Sequence, residues 1–217
     1  MKNFWCVMLI SALLASCNLS LNTFRMTNDS MLPTIRVGSL VKITRQLDSL
    51  NYGDLVVVDH NEIIDELYGY RLQGPLIYRV LGMPGDCIAV EKEFCTINGK
   101  KNEYQLVQIN VQNKDANDFF KNSLTEYKER LPNGVIVHIY RAELSDKDIE
   151  MSRRVRERDD IDKYSYMNDD METIKIIENH YFLMGDFRSN TIDSRIIGTI
   201  PKEKIIGKVT KIKQKIE

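Results

Sequence analysis

The sequence predicts a mainly β protein, with antiparallel strands in a partly closed, barrel-like arrangement and one charged, partly helical surface excursion. Three observations carry this. Short β-branched runs read as strands, among them Leu40-Val41-Lys42-Ile43-Thr44, which alternates, and Leu55-Val56-Val57-Val58, which does not. Turn residues punctuate them at Gly53-Asp54, Gly82-Met83-Pro84-Gly85-Asp86 and Asn98-Gly99, the last a strong hairpin signal. Residues 144–172 break the pattern with dense charge of both signs, as in Arg153-Arg154-Val155-Arg156-Glu157-Arg158. That composition suits a solvated excursion, and Ser145 can cap a short helix in it.

Further strands follow from the same signals. Residues 76–81 form one before the Pro84-Gly85 turn, and Cys87 to Ile97 form a hairpin centred near Glu91. Val135–Tyr140, Tyr181–Met184 and Ile205–Val209 complete the set. The chain has 217 residues, enough for one full core. A net charge of −1 gives no basic field for nucleic acid. His60, His138 and His180 lie far apart without metal-ligand spacing, so neither a metal nor another cofactor is expected.

The N-terminus differs from the body. Lys2 precedes an apolar run from Phe4 to Ala15, too short for a membrane span of about 20 residues but fitting the apolar core of a secretory signal. Leu14-Ala15-Ser16-Cys17 resembles a bacterial lipobox, in which the cysteine is lipidated; the alternative is an uncleaved anchor with an incidental Cys17. Residues 1–17 are thus a leader or anchor, 18–29 a linker, and 30–217 the body, with an insertion at about 100–175. Either tether places the body outside the cytoplasm, on the extracytoplasmic or periplasmic side of a bacterial envelope. In that oxidising compartment Cys87 and Cys95 can bridge across their hairpin, or remain two half-buried thiols.

Four segments carry chemistry. They are Asn28-Asp29-Ser30-Met31-Leu32-Pro33-Thr34-Ile35, Gly53-Asp54-Leu55-Val56-Val57-Val58, Tyr78-Arg79-Val80-Leu81-Gly82-Met83-Pro84-Gly85-Asp86-Cys87-Ile88, and Gly185-Asp186-Phe187-Arg188-Ser189-Asn190-Thr191-Ile192-Asp193-Ser194-Arg195, followed by Gly198. In this order they resemble the sequence boxes of the type I signal peptidases, over most of the body except roughly residues 100–175. The resemblance implies a serine endopeptidase that cuts leader peptides of exported preproteins after small residues. It implies Ser30 as nucleophile, beside Met31 on a rigid platform at a bilayer surface. The Ser30 N–H and the Asn28 side chain would hold the oxyanion, Asn28 standing where the family usually has serine. Thr191 would contact the general base. Arg79, Asp193 and Arg195 would be structural or orient the base strand. Substrate would bind as an extended strand at a sheet edge.

One departure bears on mechanism. The family's general base is a lysine, and Tyr78 stands in its place. A phenol, with an ordinary pKa of about 10, is a poor resting base. Three explanations follow: Tyr78 is activated by its surroundings, Lys42 or His60 supplies the base, or the chain is a catalytically degenerate, peptide-binding lipoprotein on the same fold.

Overall fold

The computed structural model describes residues 22–60, 64, 65, 70, 71, 74–116, 118, 120, 122–143 and 171–216. The strands are β1 (Thr23–Arg25), β2 (Leu40–Thr44), β3 (Leu55–Asp59), β4 (Ile64–Asp65), β5 (Tyr70–Arg71), β6 (Pro75–Gly82), β7 (Cys87–Glu91), β8 (Phe94–Ile97), β9 (Lys100–Lys101), β10 (Glu103–Gln108), β11 (Leu124–Arg130), β12 (Ile136–Ala142), β13 (Met171–Lys175), β14 (His180–Met184), β15 (Ile200–Pro201) and β16 (Ile205–Lys213). Among the described residues one short α-helix, α1 (Ser194–Ile197), is capped by the Asp193 carboxylate, which accepts from the Arg195 N–H.

Among the described residues the named strands all pair antiparallel, as expected, and one isolated parallel bridge joins Tyr140 and Phe187. A seven-stranded sheet runs β1-β2-β16-β3-β6-β14-β15; smaller sheets run β10-β11-β12, β13-β7-β8-β9 and β4-β5. The sheets stay open, so the barrel-like expectation resolves into packed sheets with no closed barrel. Thr23–Arg25, inside the expected linker, forms an edge strand on β2. The charged excursion lies outside the described residues except at its end, where Met171 and Glu172 open β13. The paired strands β10 and β11 fill part of the expected insertion.

The core splits by sheet face. Val56, Val58, Tyr78, Val80 and Leu183 pack on one face of β3, β6 and β14. Val57 and Ile77 face the opposite way, against Met31, Ile35, Val41 and Ile43. The period of two thus assigns neighbouring residues of β3 and β6 to different clusters. Met31 is fully buried in the second of these, so it anchors the serine loop inward and presents nothing to a bilayer.

The hairpin of β7 and β8 turns at Lys92-Glu93, both left-handed at φ 49° and 66°. This is later than the expected centre near Glu91. The Glu93 carboxylate is held by Ser189 Oγ at 2.5 Å and Arg141 Nε at 2.8 Å, which fixes the turn there. The register then sets Cys95 opposite Val90 rather than Cys87, and both thiols are free. The bridge considered from the sequence is therefore not formed. Cys95 lies instead 3.5 Å from Met184 Sδ, and burial, with the nearby Glu129 carboxylate, pushes its thiol up to about 12.

Candidate active site

Ser30 sits on the loop between β1 and β2, half-buried, with its two following side chains driven in opposite directions. Met31 enters the cluster on β2 and β3, and Leu32 enters another with Leu124, Tyr140 and Phe187. Burying both side chains, each on the order of 2 kcal/mol, fixes the serine between them. The Ser30 carbonyl is gripped from the other side: it accepts from the Phe187 N–H at 2.9 Å and from Thr191 Oγ1 at 3.1 Å. Asn190 Nδ2 donates to Asp29 Oδ1 at 2.9 Å.

The loop that grips it is pinned by buried charge. Asp193 accepts from the Gly185 N–H at 3.0 Å and from Arg195 Nε at 2.8 Å; Arg195 Nη2 reaches the Arg188 carbonyl at 2.6 Å. Arg188, fully buried, pairs with Glu129, which also accepts from Asn102 at 2.8 Å and Tyr104 at 2.7 Å. The Glu129 carboxylate keeps the Arg188 guanidinium charged against its burial. Gly185 has no room for a side chain, because a Cβ there would lie 2.1 Å from Thr191 Oγ1. Arg79 donates to both oxygens of Asp186, at 2.7 and 2.5 Å, and to the Gly53 carbonyl at 2.7 Å. Thr34 Oγ1 donates to the same carboxylate. Arg79 thus ties the strand carrying Tyr78 to the serine loop.

The expected site residues come together in a revised arrangement. The one Thr191 hydroxyl proton is shared between the Phe187 carbonyl at 2.8 Å and the Ser30 carbonyl at 3.1 Å, so it braces the Ser30 loop and is not spent on Tyr78. Asp193 and Arg195 position that loop. The Asn28 side chain faces Ser30 as an acceptor, where an oxyanion donor was expected. Its Oδ1 receives the Ser30 hydroxyl at 2.8 Å and the Ser30 N–H at 3.2 Å.

Tyr78 is fully buried at the base position and donates to the Ile192 carbonyl at 3.1 Å, with no hydrogen bond to Ser30. Burial, reinforced by Asp193, raises its phenol above the ordinary range, which opposes activation as a base. Lys42 is exposed on β2, outside the dry setting a neutral lysine base needs. His60 is fully buried, packs against the Tyr78 ring at 5.5 Å with the planes at 72°, and has no hydrogen-bond partner at either ring nitrogen. Burial lowers it to about 4, with Lys204 assisting and Asp59 opposing, so it is neutral at pH 7.

Sequence reasoning did not single out Thr34, Asp29, Glu93 or Glu129. Thr34 could have been found, since it stands within the Ser30 segment. The glutamates carry no motif, and only the fold brings them to Arg188 and Ser189. Phe187 is a core residue in edge-on contact with Phe120 at 5.3 Å and Tyr140 at 6.2 Å. Among the described residues no group of three or more His, Cys, Asp or Glu side chains can hold a metal, and no helix is long and apolar enough to cross a membrane. Cys17 lies outside the described residues.

Comparison with known proteins meets this geometry. The chain is 27% identical over 222 residues to signal peptidase I of Buchnera aphidicola subsp. Schizaphis graminum, covering 87% of this chain and 66% of that one. It is 27% identical over 225 residues to signal peptidase I of Pseudomonas aeruginosa, covering 95% and 69%. It spans about two thirds of the length of these relatives. A crystal structure of a signal peptidase I from Enterococcus faecalis aligns with a TM-score of 0.36 and 16% identity, covering 75% of this chain and 97% of that one. The model of the family described as signal peptidase, peptidase S26, matches residues 2–212, a range that takes in Ser30, Tyr78 and the whole pinned loop, and the chain belongs to that family of serine endopeptidases.

Proposed function

We propose that this chain cleaves leader peptides of exported proteins after small residues, with Ser30 as nucleophile, and that Tyr78 makes it slow. The supporting observation is the Ser30 loop: its carbonyl is doubly held, its next two side chains are buried, and its hydroxyl is left with a single side-chain partner. The backbone of a serine so fixed is in place before substrate arrives. β1, which ends the seven-stranded sheet among the described residues and leads into Asn28 and Ser30, is the edge to which an extended peptide adds. Ser30 Oγ attacks the scissile carbonyl, the new amine departs, and water releases the acyl group. The step that lags is removal of the serine proton, because the group at position 78 is a protonated donor. Residues 1–17 tether the body to a bacterial envelope membrane, through lipid on Cys17 or as an anchor, with the body on the outer side.

A second reading is a peptide-binding relative without turnover. It is favoured by the Tyr78 hydroxyl, which donates to Ile192 and not toward Ser30. Purified protein incubated with an Ala-x-Ala leader peptide separates the two. The first reading expects slow cleavage that Ser30→Ala abolishes and Tyr78→Lys accelerates. Saturable peptide binding with no cleavage by the wild type selects the second. Cleavage that survives Ser30→Ala refutes the assignment of Ser30.

A further inference from the structure

In the free protein two donors of Ser30 converge on one atom. Its N–H lies 3.2 Å from Asn28 Oδ1 and its hydroxyl 2.8 Å. A backbone N–H only donates, so the atom facing it is the carbonyl oxygen, and the orientation of the carboxamide is set by its partner. The consequence is an oxyanion site that is occupied from within. The Ser30 N–H is engaged, and Asn28 Nδ2 points away, donating to no group among the described residues.

The surroundings show which part can move. The backbone of the Ser30 loop is held by Phe187, Thr191 and the buried Met31 and Leu32, and Asp29 is tied to Asn190. The Asn28 carboxamide is half-exposed and, among the described residues, bound through Oδ1 alone. Its terminal torsion is of the broad, roughly two-fold kind. A half-turn about Cβ–Cγ therefore exchanges Oδ1 for Nδ2 without moving the backbone.

We propose that Asn28 is a two-position latch on the oxyanion site. With Oδ1 inward the site is closed: Ser30 is tethered and its N–H is taken. When an acyl oxygen arrives, the carboxamide turns, which frees the Ser30 N–H and hydroxyl and brings Nδ2 in as second donor. One rotation removes the block and supplies the missing donor. A serine at this position has a single hydroxyl atom for both roles and builds no such latch. The inference rests on Ser30 being the nucleophile.

The test uses a peptide aldehyde ending in alaninal, which needs no external base overall. Ser30 Oγ bonds to the aldehyde carbon, the carbonyl π pair moves to oxygen, and the serine proton ends on that oxygen as a hemiacetal hydroxyl. Affinity is measured by calorimetry for wild type, Ser30→Ala, and the Asp, Ala and Ser variants of Asn28. The latch expects Asn28→Asp, which keeps the acceptor and loses the donor, to bind about 5- to 10-fold more weakly, the scale of one lost hydrogen bond to the neutral hemiacetal oxygen. Asn28→Ala, uncharged, also weakens binding, and Asn28→Ser stays near wild type. The denaturation midpoint of each variant is measured alongside; if Asn28→Asp does not fold, the Ala and Ser variants decide. Asp and Ala variants that bind as tightly as wild type, or tighter, make Asn28 a turn acceptor only and remove the latch, leaving Ser30 in place. No Ser30-dependent adduct in either wild type or Tyr78→Lys removes both the latch and the nucleophile assignment.

Discussion

His60 makes the stability of the fold depend on acid in a calculable way. Its imidazole is fully buried, with both nitrogens unpartnered, and lies edge-on to Tyr78. Burial lowers it from an ordinary value of 6.5 to about 4, helped by Lys204 and opposed by Asp59. The native state resists a proton that the unfolded chain accepts below about 6.5. The His60 contribution is therefore intact above that pH and is lost as pH falls through the window down to about 4. Each tenfold bias against the proton is ~1.4 kcal/mol, so at pH 4.5 the loss comes to about 2.5 kcal/mol. His60→Leu removes the titration. At pH 7.5 it also removes two unsatisfied polar atoms, a gain of ~1–3 kcal/mol, against a lost aromatic contact of ~0.5–1.5 kcal/mol. The variant should thus equal or exceed wild type at neutral pH, and its advantage should grow by about 2.5 kcal/mol on acidification to pH 4.5. Urea denaturation at half-unit pH steps reads this directly. A difference between wild type and variant that stays constant from pH 7.5 to 4.5 refutes the reasoning.

Other consequences are more local. Glu129→Ala leaves the buried Arg188 guanidinium without its carboxylate and should cost about 3–5 kcal/mol in urea denaturation. Gly185→Ala forces a methyl against Thr191 and should cost roughly 1–3 kcal/mol, with peptide cleavage falling alongside because Thr191 braces Ser30. In protein purified without reductant Cys87 and Cys95 should both be thiols, with Cys87 open to a thiol reagent and Cys95 reacting only on unfolding, as read by peptide mass mapping.

The strands were legible because their signals are local. Alternation marked β2, a β-branched run marked β3, and Asn98-Gly99 marked its turn, with φ values of 52° and 77°. What the sequence could not convey were the choices made by distant contacts. The β7–β8 turn falls at Lys92-Glu93 because Glu93 is held by residues 48 and 96 positions away, and that shift of register is what separates the two cysteines. The candidate site divides the same way. Ser30, Arg79, Asp193 and Arg195 were visible as boxed residues of fixed type. Whether Thr191 contacts residue 78 or the Ser30 loop is a matter of which group its hydroxyl meets, and spacing does not encode that. Asn28 was recognised as a residue able to donate, but its amide has two ends, and only the geometry shows that the acceptor faces Ser30.

Tyr78 concentrates what remains. Its ring fills an apolar pocket with Val56, Val58, Val80 and Leu183, and its hydroxyl meets the Ile192 carbonyl. A lysine in the same pocket would place an unbranched stem against those side chains and an amine near that carbonyl, so the scaffold has room for Tyr78→Lys without rebuilding. Burial would press the lysine toward its neutral form, while Asp193 would favour the ammonium. Because the buried ammonium is disfavoured, the variant should lose stability as pH falls, and its cleavage rate should rise with pH as the neutral amine accumulates. Tyr78→Met fills the pocket without a titratable group and serves as the control: it should fold, bind peptide and gain no cleavage. If Met and Lys variants cleave equally, the serine proton never depended on position 78, and the slow step must be sought at the closed oxyanion site instead.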